Sequence, residues 1–136
     1  MENRNCLYMA LCEGRHDIPQ ATDGAIFPAT IEDVTDVRGL EVAAEAAIAR
    51  AALAHYQAGE SQYLPTAKYA NAVEDIGRFP RVDVAPTFGL VIYVTGLTVA
   101  LVAAINACLR VGISITLMHF NQATGDYYPQ DVLVPG

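Results

Sequence analysis

Leu90-Val91-Ile92-Tyr93-Val94-Thr95-Gly96-Leu97-Thr98 is the stretch whose reading decides the fold. Its first five residues are aliphatic or aromatic and mostly β-branched, the composition of a buried strand, so residues 90–94 are expected to form one. Thr95-Gly96 breaks that run. Residues 97–110 continue without a breaker as an apolar helix, and Val111-Gly112 is a natural stop. Residues 113–120, Ile-Ser-Ile-Thr-Leu-Met-His-Phe, alternate roughly as a second strand. Two strands joined by a helix are parallel with a right-handed crossover, which makes this stretch a β-α-β unit.

Working outward, Cys6-Leu7-Tyr8-Met9-Ala10-Leu11-Cys12 is a short apolar run that reads as a buried first strand of the same sheet. The polar stretch over residues 13–28 is expected to be a long loop, and such loops are usually functional. Residues 40–58 form an alanine-rich helix, with Leu40, Ala44, Ala47, Ile48 and Ala51 on one stripe and Glu41, Glu45 and Arg50 elsewhere. A shorter helix is expected over residues 63–76, and residues 78–87, with Pro80 and Pro86, form a connection. Thr124-Gly125-Asp126 reads as a hairpin turn into an edge strand over residues 127–134, where Pro129 is tolerated and Tyr127 and Tyr128 cap the core or line a pocket. The expected fold is therefore α/β: one small Rossmann-like domain over residues 1–136, with a mainly parallel sheet, flanking helices and a C-terminal β-hairpin.

Composition narrows the partners. The chain of 136 residues is 53% hydrophobic and 17% charged, which suits one folded domain and not a disordered segment. A net charge of −7, with Lys68 the single lysine, disfavours tracking a long nucleic acid or an anionic membrane. The uncharged run over residues 88–109 is long enough to span a bilayer, yet the strand-break-helix grammar inside it argues for a buried β-α pair. Cys6, Cys12 and Cys108 form no CxxC pair and lie in apolar runs, as buried thiols in a reducing compartment do. With no secretory signal read ahead of the first strand, the expected location is cytoplasmic.

The residues able to carry chemistry gather around the central turn. Thr95, Gly96, Leu97 and Thr98 end a strand and open a helix, bringing backbone N–H groups, a glycine and two hydroxyls to a positive dipole end, which suits a phosphate or carboxylate. The same residues equally suit a plain turn, with Thr98 capping the helix. Arg15, His16 and Asp17 follow the first strand; Arg15 is the candidate counter-charge and His16 a candidate acid or base, the alternative being a local Arg–Asp pair beside a solvated histidine. His119 shares an apolar register with Ile113, Ile115 and Leu117, so a hydrogen-bonded core position competes with a catalytic one. His55 suits the end of its helix. No pair of histidines has ligand spacing, no nucleophile or nucleotide-loop motif is present, and neither metal nor cofactor is implied.

At Val94-Thr95-Gly96-Leu97-Thr98 the chain resembles the ligand turn of CRISPR-associated Rossmann-fold sensor domains, and in size and organisation it looks similar to small ring nucleases that destroy cyclic oligoadenylate signals. The resemblance covers the last third of the chain. It implies a homodimer with a nucleotide ligand at the dimer interface, in an antiviral-defence setting, although the basic cluster typical beside such a turn is missing here. Three functions follow: binding of a small anionic, nucleotide-like ligand with Thr95, Gly96, Leu97, Thr98 and Arg15; ring-nuclease-type phosphodiester cleavage at the same site with His16 or His119; or an oligomeric interaction protein built on nearly uncharged helices.

Overall fold

The computed structural model describes residues 6–14, 17–58, 89–95 and 97–132. Five strands form one mixed sheet in the order β2-β1-β3-β4-β5. These are β1 (Cys6–Cys12), β2 (Ala25–Phe27), β3 (Gly89–Tyr93), β4 (Ser114–Asn121) and β5 (Asp126–Val132), with helices α1 (Val37–Gln57) and α2 (Thr98–Val111). β1, β2, β3 and β4 are mutually parallel, and β5 returns antiparallel to β4. The α/β class, the parallel β3-α2-β4 unit and the C-terminal hairpin thus match the sequence reading. Residues 63–76 and 78–87, expected as a helix and a connection, lie outside the described residues.

Register explains the core. Leu7 stands beside Leu90 and Leu90 beside Ile115, while Met9, Ile92 and Leu117 form the next row. Strand side chains alternate between faces, so these rows share one face, and all six residues belong to the buried cluster that also takes in Leu40, Ala44 and Ile48 of α1 and Ala100, Ala104 and Cys108 of α2. Alanines on the helices let them approach the sheet closely. Full burial of each large aliphatic side chain is worth roughly 1.5–3 kcal/mol, so these rows supply much of the driving force.

The loop expected over residues 13–28 contains a strand the sequence reading missed. β2 is three residues long, too short to show alternation, and is recruited by bonds to β1: Ala10 N donates to Gly24 O at 2.9 Å, and Glu13 N to Phe27 O at 2.9 Å. Asp23 extends the junction, with Oδ2 accepting from Tyr8 N at 2.9 Å. The first helix likewise starts earlier than residue 40. Asp36 Oδ1 accepts from Gly39 N at 3.0 Å, an N-cap that adds a turn ahead of the alanine-rich stripe.

The stops behave as read. Gly112 takes the left-handed conformation (φ 78°) and closes α2 with its N–H on Leu109 O, and Gly125 (φ 75°) closes the hairpin with its N–H on Asn121 O at 2.8 Å. Pro129 lies opposite Met118, whose carbonyl instead accepts from Val94 N of the neighbouring segment. At that position the β5 backbone faces away from β4, so the ring removes an N–H from the free edge and costs the ladder nothing. Among the described residues no helix is long and apolar enough to cross a membrane.

Candidate functional site

Because β1, β3 and β4 are parallel, their carboxyl ends meet at one edge of the sheet. The segment after β1, the turn ahead of α2 and the end of β4 all leave from there, the usual place for ligands in open α/β sheets. Of the residues read as the site, Thr95, Leu97 and Thr98 are brought to this edge together with His119. Arg15, His16 and Gly96 lie outside the described residues; Glu13 and Asp17, which flank the first two, are exposed.

Thr95 fastens the edge. Its Oγ1 accepts the backbone N–H of Cys12 at 3.2 Å, tying the end of β1 to the turn that follows β3, and its carbonyl accepts from Leu97 N at 2.9 Å. One of the two hydroxyls expected to face a ligand is therefore holding the scaffold. Leu97, not Thr98, is the N-cap of α2; it is extended (φ −85°, ψ 109°) and supplies no side-chain cap. Thr98 is the first helical residue and is exposed. Among the described residues no side-chain oxygen caps the start of α2, the role that commonly serves a helix's first N–H groups.

His119 keeps the register expected for it but not the burial. It shares the face of Ile115 and Leu117 and stands one step beyond their cover, half-buried, with Nε2 at 2.8 Å from Gln130 Oε1 and its ring 5.4 Å from that of Tyr128. It is a hydrogen-bonded edge residue and not a core one. On the opposite face an aromatic row reaches the same edge: Tyr93 meets Tyr127 edge-on at 5.0 Å, and Tyr127 meets Phe120 at 5.3 Å. Tyr93 is buried while Phe120 is half exposed, so the row ends in a ring open to solvent. Phe120 escaped the sequence reading because it was counted only as the last residue of an apolar strand, although its parity with Ser114, Thr116 and Met118 sets it on the face away from Ile115 and Leu117.

The thiols are poor nucleophiles. Burial pushes Cys6, Cys12 and Cys108 upward, Cys108 to about 12, with the Thr95 hydroxyl partly offsetting the effect at Cys12. Cys6 and Cys108 are buried, and Cys12 is partly so. No group of three or more His, Cys, Asp or Glu side chains is placed to hold a metal ion among the described residues.

A second polar constellation lies far from this edge. Glu41 and Glu45, off the apolar stripe as read, are nevertheless buried, because they face the last turns of α2 and not solvent. Arg110 Nη2 donates to Glu41 Oε1 at 2.7 Å and Nη1 to Glu45 Oε1 at 2.9 Å, and Asn106 Nδ2 donates to Glu41 Oε2 at 3.1 Å. The first turns of α1 therefore sit beside the end of α2, near the start of β4. A signal for it exists in the sequence: Glu41 and Glu45 are four apart, as are Asn106 and Arg110, so each helix presents one polar ridge.

Comparison with family models, with curated proteins and with solved structures returned no match.

Proposed function

We propose that the chain is a binding module for a small anionic, nucleotide-like ligand seated at the carboxyl edge of the sheet, between the loop after β1 and the start of α2. The observation that carries this reading is the Cys12–Thr95 hydrogen bond, because it locks the two ligand-facing segments side by side. The start of α2 attracts an anion through its first-turn N–H groups and the positive end of its dipole. Arg38 and Arg110 are engaged with Glu41 and Glu45 at the other end of the molecule, so neither is free to serve this edge, and Arg15, in the loop after β1, is the counter-charge of this reading. The open ring of Phe120 offers a planar base a surface to stack on.

Phosphodiester cleavage at the same site is the second reading, favoured by one observation: His119 is held at this edge by Gln130 and Tyr128. A thermal-shift screen of mononucleotides, dinucleotides and cyclic oligonucleotides tests the binding reading, since a ligand that binds only the folded chain raises its apparent stability. A rise with at least one member is expected; no rise with any of them refutes it. Chromatography of the mixture after incubation separates binding, which leaves the ligand intact, from cleavage.

A further inference from the structure

The seam between α1 and α2 contains two carboxyl groups of very unequal surroundings. Glu41 gathers three donors: Arg110 at 2.7 Å, Asn106 at 3.1 Å and Arg38 Nη1 at 3.4 Å. Glu45 gathers one among the described residues, Arg110 at 2.9 Å, while its side chain is 0% exposed and its Oε2 is buried with no hydrogen-bond partner among them. The charged or titratable groups facing Glu45 among the described residues are Glu41 and Arg38 of α1 and Arg110 of α2. Two acids thus share one close guanidinium, and Glu41 holds the shorter bond along with the additional donors.

An ionised carboxylate offers about four acceptor sites, and one buried with a single site answered is far costlier than its neutral form. Where two carboxyl groups compete for one cation, the better-donated group keeps the charge and the other keeps the proton. We propose that Glu45 carries a proton in the folded chain under conditions where Glu41 is ionised, so that the α1–α2 seam is a pH-sensitive latch that slackens when this proton leaves. The two groups are displaced in opposite directions: burial pushes the Glu45 carboxyl above the ordinary glutamate range, whereas the Arg110 bond leads the causes holding Glu41 below it.

The signs separate the two contributions. Between the ordinary glutamate value and the folded-state value of Glu45, the unfolded chain has released this proton and the folded chain has not, so raising the pH there favours unfolding. Glu41 acts oppositely, its contribution being present above the ordinary glutamate value and lost as the pH falls through its own depressed one.

The test is a carbon-detected NMR titration of the side-chain carboxyl groups in the full chain, joined to denaturant unfolding across pH for wild type and Glu45→Gln. The Glu45 resonance is expected to move at a pH above the ordinary value of about 4.3, and that of Glu41 below it. Glu45→Gln keeps a carbonyl for Arg110 and cannot ionise, so wild type should lose stability relative to it as pH rises through the Glu45 transition. A Glu45 resonance that titrates at or below the ordinary value, or unfolding curves for the two proteins that stay parallel through that interval, would overturn the proposal. Should the variant fail to fold, the wild-type titration alone decides.

Discussion

The two ends of α2 are built by opposite means. At its start, the turn is made of backbone, one tethering hydroxyl and exposed side chains, and no side chain caps the helix. At its end, Arg110 and Asn106 are spent on two buried carboxyl groups of α1, and Gly112 closes the backbone. One end makes no side-chain cap among the described residues; the other turns its charged groups inward, leaving Glu45 Oε2 unanswered. Charged residues are consequently a poor guide to the site here, because those most firmly held in the structure belong to packing.

The comparison breaks most visibly at Arg110. Arg110→Met leaves Glu41 and Glu45 buried without their shared cation, and a loss of about 2–4 kcal/mol is expected in urea unfolding, somewhat under the usual cost of breaking a buried pair because Arg110 is 35% exposed. Ligand affinity should change little. An effect on affinity as large as that on stability would mean the two ends are not separate.

At the other end the balance reverses. Arg15→Ala is expected to weaken binding by about 1.5–3 kcal/mol in calorimetry, the range for a charge-assisted hydrogen bond, with little change in the melting temperature of the free protein. Thr95→Val keeps the side-chain shape but removes the acceptor for Cys12 N, so about 0.5–1.5 kcal/mol of stability should go, and binding should weaken with it. Thr98→Ala should do least, because the backbone amides remain. A Thr95→Val protein as stable as wild type would show that the tether is incidental.

Much of the edge was legible from the sequence, and for a definite reason. Strand and helix alternate around Thr95 with residue types that leave little choice of period, and handedness rules then deliver three segments to one side. β2 was hidden because three residues cannot show a period, and its strand character comes from Asp23 and Gly24 docking on β1. The Glu41–Glu45–Arg110 seam was hidden because glutamates beside an alanine stripe look like a solvated face; their burial depends on where α2 ends, which is tertiary information. His119 shows the same gap, its face having been read from its register and its exposure having been set by where the helices stop.

The homodimer expectation comes with the family resemblance, and the nearly uncharged helix over residues 97–110 points the same way. Within one chain the sheet and α1 bury Ala100, Ala103, Ala104, Ala107 and Cys108, and among the described residues of the helix Val102 is a large apolar side chain left well exposed. A homodimer of the chain is the expected outcome of light scattering at micromolar concentration; a monomer would remove it.

The central claim is that the carboxyl edge, and not the charged seam, meets the ligand. The most direct measurement is an amide NMR titration of the full chain with the nucleotide giving the largest thermal shift. The account predicts shifts concentrated at Cys12, Thr95, Leu97, Thr98 and Phe120, with Glu41, Glu45 and Arg110 unmoved. Shifts centred on those last three residues, or none on either side, would contradict it.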